Sequence, residues 1–151
     1  MAKTVLLARP HPFIVSEMKP FLEQGGYEAI KIEALTDLAA KAKLGRGVVI
    51  SFAVSSSVGE SADDVFVQLR QGAPRIPVLF AALLPLDKYK SSLERVAKLA
   101  GIQATILGVA AENENALALG KPDTFLYVSK DDLADAPRRA IALKMVQRHF
   151  S

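Results

Sequence analysis

Arg9 and His11 stand in the run Arg9-Pro10-His11-Pro12, and Ser55, Ser56 and Ser57 stand together in a polar stretch over residues 51–59. Guanidinium and imidazole groups are cationic donors. Clustered hydroxyls and backbone N–H groups ahead of a helix start can cradle a phosphate or carboxylate. Brought together, these residues would form a small anionic-ligand site, for a phosphate or a nucleotide-like molecule. Ser51 opens the serine-bearing stretch, and Lys130, in Val128-Ser129-Lys130-Asp131, offers one more cation to the same rim. The same residues also have a plain structural reading: prolines and serines populate turns, serines cap helices, and Arg9 can pair with an acid. Glycine-rich phosphate signatures are absent, since Ser57-Val58-Gly59 holds a single glycine.

Catalytic constellations are poorer. His11 and His149 are the two histidines, neither in a ligand-spaced pair, and there is no cysteine, so the sequence points to no metal centre and no thiol nucleophile. A serine of the 55–57 cluster with His11 as base lacks both a third member and a GxSxG elbow. Asp63-Asp64 and Asp131-Asp132 resemble paired carboxylates, but each pair falls at an expected helix start, where the helix dipole explains it. No catalytic residue and no cofactor is expected, and the chain reads as a binding or signalling domain more readily than as an enzyme.

The elements that would position these residues alternate along the chain. Residues 4–8 (TVLLA), 48–50 (VVI) and 78–80 (VLF) are short apolar runs suited to strands buried on both faces. Residues 27–32 (YEAIKI) alternate polar and apolar, as an edge strand does. Phe13, Ile14, Met18, Phe21 and Leu22 recur at helical spacing and stop at Gly25-Gly26; a shorter helix is expected over residues 35–43. Val65, Phe66 and Leu69 give a third helix its apolar side, with Ser61 as N-cap. Tyr89, Leu93, Val96 and Ala97 give the same to a long helix over residues 86–100. Residues 104–109 (ATILGV) and 124–128 (TFLYV) read as further strands, separated by a polar run and about two helical turns at 112–119. Asp131 and Asp132 open a final helix running towards His149, with Ile141, Leu143, Met145, Val146 and Phe150 spread around much of its circumference. Those positions bury either in the fold or against a second subunit.

At 151 residues, half of them hydrophobic, the chain fits one domain with a sizeable core and no disulfide support. Its start lacks a signal-peptide pattern, and no stretch approaches the roughly 18 apolar residues of a membrane span, so the expected setting is cytoplasmic. The net charge of +3 is spread out; the densest cluster, Arg138, Arg139, Lys144 and Arg148, has no aromatic among it and reads as a solvated helix face. Nucleic acid is therefore not the expected partner.

Strands alternating with helices imply βαβ crossovers and a doubly wound α/β sandwich. The alternation, the strand lengths and Pro77 ahead of the fourth strand resemble a response-regulator receiver domain over about residues 3 to 148. Receivers carry paired acids after the first strand, a phospho-accepting Asp ending the third, Ser or Thr ending the fourth and Lys ending the fifth. Here the corresponding residues are Arg9-Pro10, Ser51, Ala81-Ala82 and Lys130. The lysine matches if residues 124–128 form the fifth strand of the receiver pattern and 104–109 are an insertion; if 104–109 form it, the match is accidental. The resemblance implies a mostly parallel sheet of five or six strands with helices on both faces, and a degenerate pseudo-receiver without a magnesium cage. Such a domain would act in signalling or scaffolding through protein contacts, independently of phosphorylation, and could homodimerise. With strand order 2-1-3-4-5, a ligand crevice would lie between the loops after strands one and three.

Overall fold

A computed structural model describes residues 3–8, 18–31, 45–51, 66–67, 69–70, 76–82, 86–99, 101, 105–108 and 124–150. Its strands are β1 (Lys3–Ala8), β2 (Tyr27–Lys31), β3 (Gly47–Ser51), β4 (Val78–Ala82), β5 (Thr105–Gly108) and β6 (Thr124–Ser129). Its helices are α1 (Lys19–Gln24), α2 (Leu86–Leu99), α3 (Lys130–Ala134) and α4 (Ala136–His149). All six strands lie in one sheet in the order β2-β1-β3-β4-β6-β5, and every pairing is parallel.

The near-continuous apolar runs of β1, β3, β4 and β6 follow from burial on both faces, because successive residues of a strand point to opposite sides. One face carries Val5, Leu7, Val49, Leu79, Leu126 and Val128 under α1, α3 and α4. The other carries Leu6, Val48, Ile50, Phe80, Phe125 and Tyr127 under α2 and helical residues Phe66 and Leu69. Phe66, Phe80 and Phe125 meet with centroids 4.9 to 5.9 Å apart, each pair worth about 0.5–1.5 kcal/mol beyond its area. α1 and α2 end where Gly26 (φ 90°) and Gly101 (φ 72°) take the left-handed conformation that a side chain would resist.

Two expectations change. The order 2-1-3-4-5 holds only with β6 as its fifth strand, next to β4, and β5 is added outside it as the edge. All six residues of β6 are buried, as an interior strand requires, whereas Thr105 in β5 is exposed. The final helix is also two helices. Asp135 adopts an extended conformation (φ −89°, ψ 119°) and caps α4 by accepting from the Arg138 N–H, with Pro137 in the first turn of α4. A proline there lacks the N–H that continuing α3 would need, so α3 stops at Ala134 and α4 starts afresh.

The far end of α4 is fastened beneath the sheet. The His149 Nε2–H donates to the Val78 carbonyl at 2.9 Å, the Phe150 ring lies against Gly47, and the Tyr27 hydroxyl is shared between the carbonyls of Val146 (3.3 Å) and Phe150 (3.2 Å). Burial lowers the His149 pKa to about 4, against which the bond to Val78 acts weakly. Met145, Val146 and Phe150 are fully buried in the chain's own core, and Ile141 and Leu143 are half-buried against it. Among the described residues no helix is long and apolar enough to cross a membrane.

Candidate functional site at the carboxyl ends of the strands

The carboxyl ends of the inner strands form a row fixed by backbone register. Ala8 pairs with Ile50, Ser51 with Ala81, and Ala82 with Ser129. β1 leads to α1 on one face of the sheet and β3 precedes helical residues on the other, so the strand connections diverge between β1 and β3. The same divergence occurs between β4, which leads to α2, and β6, which leads to α3. Both divergences lie at the end of the sheet where open α/β folds place ligands.

Ser51 closes β3 in this row, and Lys130 follows directly on β6. Because β6 is the strand beside β4, Lys130 occupies the position of a lysine that ends a fifth strand next to the fourth, which resolves the two alignments in favour of residues 124–128. Lys130 is exposed and makes no ion pair among the described residues. Arg9, His11, Ser55, Ser56 and Ser57 lie outside the described residues, so of the expected anion site the structure locates Ser51, by its backbone, and Lys130.

The corner that carries Lys130 is built by residues the sequence reading undervalued. Ser129 and Asp132 form a capping box: the Ser129 N–H and hydroxyl donate to Asp132 Oδ2 at 2.8 and 3.0 Å, and the Asp132 N–H donates back to Ser129 Oγ at 3.3 Å. The other oxygen, Oδ1, accepts from Arg138 Nη2 at 2.5 Å. Asp132 is thus more than the dipole-compensating acid expected from its place at a helix start. Its carboxylate is buried, with both oxygens engaged, and it ties the end of β6 to the first turn of α4. The signal was present as Ser-x-x-Asp; what hid it was the reading of Asp131-Asp132 as an equivalent pair, whereas Asp131 is exposed. Arg139 extends the brace, donating to Gln24 Oε1 at 3.2 Å and to the Leu133 carbonyl at 3.3 Å, with its guanidinium 5.1 Å from the Phe21 ring centroid.

The described strand ends therefore carry Ser51, Ala81, Ala82 and Lys130, and Asp132, the buried carboxylate among the described residues, is already employed. No described group of three or more His, Cys, Asp or Glu side chains is placed to hold a metal ion.

No family model matches the chain, and no curated protein does. Solved structures do. The chain is similar to the receiver domain of the sensor histidine kinase PA1611 from Pseudomonas aeruginosa PAO1, with a TM-score of 0.62 at 13% identity, over 99% of this chain and 98% of that one. That receiver holds a magnesium ion in its active-site cleft. The chain is also similar to the chemotaxis response regulator CheY4 of Vibrio cholerae, with a TM-score of 0.57 at 14% identity over 99% of each chain. A third is the response regulator DrrB of Thermotoga maritima, with a TM-score of 0.57 at 16% identity, over 98% of this chain and 52% of that one. By its fold, the chain is a receiver-like α/β domain.

Proposed function

We propose that the chain is a signalling or scaffolding module that acts through protein contacts and does not depend on phosphorylation. The observation that carries this reading is the chemistry of the strand ends. Magnesium binding normally draws on one or two carboxylates, and phosphoryl transfer to a receiver needs an acceptor carboxylate beside them. In this chain Arg9-Pro10 follows β1, Ser51 ends β3 and Ala82 ends β4. A cationic guanidinium after β1 disfavours a divalent cation there, and an alanine gives a bound phosphoryl group no hydroxyl to contact. Lys130 remains, and a lysine without a phosphoryl oxygen or carboxylate to pair with is a surface cation. The capping box and the Asp132–Arg138 pair favour a fixed corner, since rearranging it would strand a buried carboxylate.

Thermal unfolding tests the reading. Selective binding to the native state raises the melting temperature by mass action. Magnesium with a small-molecule phosphoryl donor is expected to leave the melting temperature unchanged. A rise requiring both would reject the proposal. A rise with a nucleotide or phosphorylated metabolite alone, abolished by Arg9→Ala, would move the function to an anionic-ligand site on the loops after β1 and β3.

A further inference from the structure

We infer that the outer face of α4, continued onto the amino-terminal end of the sheet, docks an acidic protein segment. The inference rests on the reading of the chain as a protein-contact module and specifies its partner.

α4 has four Lys and Arg residues and no Asp or Glu in its 14 residues. They divide by role. Arg138 and Arg139 are turned to internal duty against Asp132, Gln24 and the Leu133 carbonyl. Lys144 and Arg148 are exposed and make no ion pair among the described residues. At about 100° per residue, Pro137, Ala140, Ile141, Lys144 and Arg148 share one side of the helix, opposite the buried Ala142, Met145, Val146 and His149. Pro137 and Ala140 are exposed and Ile141 is half-buried, so this side alternates small apolar surface with cations.

The cationic surface does not stop at the helix end. Phe150 packs on Gly47 and His149 on the Val78 carbonyl, so the last turn of α4 lies at the amino-terminal end of β3 and β4. Arg46, exposed, immediately precedes β3, and its N–H donates to the Thr4 carbonyl at 2.7 Å; Lys3, exposed, begins β1 beside it. Neither makes an ion pair among the described residues. Glu28, an exposed acid, pairs in register with Thr4 from β2 and bounds this surface on that side.

The apolar positions between the cations select the kind of polyanion. A single-stranded nucleic acid is held by stacking on aromatic side chains, and none stands exposed on this side of α4. Anionic membrane binding uses denser clusters and bulky anchors, whereas the exposed apolar groups here are a proline and an alanine. A helical protein segment with acids four residues apart matches the Lys144–Arg148 spacing, and small side chains let its backbone approach.

The test uses fluorescence anisotropy with the full chain and a synthetic helical peptide bearing glutamates at i and i+4 beside an alanine–leucine stripe. Its comparison probes are the same peptide with glutamine for glutamate, a thymidine oligonucleotide, and phosphatidylserine–phosphatidylcholine vesicles. The expected result is binding of the glutamate peptide above the other three, weakened about tenfold or more by Lys144→Glu with Arg148→Glu. A lysine peptide should then prefer the reversed protein. Should charge reversal disturb the fold, as a melting curve would show, Lys144→Gln with Arg148→Gln is expected to weaken binding about threefold. Absence of peptide binding, binding indifferent to these substitutions, or tighter binding of the oligonucleotide or the vesicles would overturn the inference. Because none of these probes involves a phosphoryl donor, such a failure removes this face while leaving the phosphorylation-independent reading to its own test.

Discussion

Replacing Gly47 by alanine should destabilise the protein, and it should do so through one side chain. A glycine in a strand is ordinarily a weakness, and Gly→Ala at a conformation open to alanine gains about 0.4–1 kcal/mol from the unfolded chain. Gly47 is not among the described glycines with positive φ, so the backbone raises no objection. The obstacle is that a Cβ at Gly47 would fall well inside 3.0 Å of the Cγ, Cδ1 and Cε1 atoms of Phe150, a fully buried ring. Either the ring is forced outward, losing up to about 1.5–3 kcal/mol of burial, or the contact strains, at about 1–3 kcal/mol. Set against the backbone gain, the net loss is about 2 kcal/mol, or about 4–8 °C in Tm for a domain of this size. Phe150→Ala alone should cost about 3–5 kcal/mol. In the Phe150→Ala background the clash is gone, and Gly47→Ala should be neutral or mildly stabilising. Urea unfolding of the two single variants and the double variant measures this as a coupling of about 2 kcal/mol. Equal cost of Gly47→Ala in both backgrounds, additive within about 0.5 kcal/mol, would refute the packing of α4 beneath β3.

Three further outcomes follow from the same structure. Asp132→Ala should cost about 2 kcal/mol in urea unfolding, because it removes a capping box and leaves buried Ser129 donors without their acceptor, whereas Asp135→Ala, at an exposed cap, should cost about 1 kcal/mol. His149 binds a proton more weakly folded (about 4) than unfolded (6.5), so the unfolded state carries more protons between these values and stability falls as pH drops through that window. The full effect is about 3 kcal/mol; His149→Gln should flatten the histidine part of the slope, read best from pH 6.5 to 5, above most carboxylate titration. Tyr27→Phe removes the hydroxyl shared by Val146 and Phe150 and should cost about 1 kcal/mol by thermal unfolding, with the edge-on ring contact to Phe150 retained.

Much of this fold is written in local pattern. The buried runs at 48–50 and 78–80, the edge alternation from Tyr27 and the glycine stops after α1 and α2 are each set by a few neighbouring residues, and the described strands β1 to β4 and the ends of α1 and α2 fall where these patterns place them. The helices expected over residues 35–43 and 112–119 lie outside the described residues. Strand order is different in kind. Nothing within residues 105–108 or 124–129 states which lies beside β4, since both are short apolar runs; pairing is decided by burial across the whole sheet, where TFLYVS fills an interior slot on both faces and TILG leaves Thr105 in water. The division of the last helix was legible, because Asp135-Ala136-Pro137 is a capping residue followed by a helix-starting proline. The fastening of His149, Phe150 and Tyr27 was not, as it joins residues more than 70 positions apart through backbone carbonyls that carry no sequence signature. At the strand ends, Lys130 was singled out by type, whereas the Ser129-x-x-Asp132 spacing was read only as part of a helix start, and the employment of both Asp132 oxygens needed the fold.

The most direct test of the central proposal is intact-protein mass spectrometry after incubation with magnesium and acetyl phosphate, run beside a phosphorylatable receiver as a positive control. The expected result is an unchanged mass, and the same result for Lys130→Ala. A mass increase of one phosphoryl group, dependent on magnesium and lost on Ser51→Ala or Lys130→Ala, would mean that the strand ends accept a phosphoryl group after all, and would contradict a module that works without one.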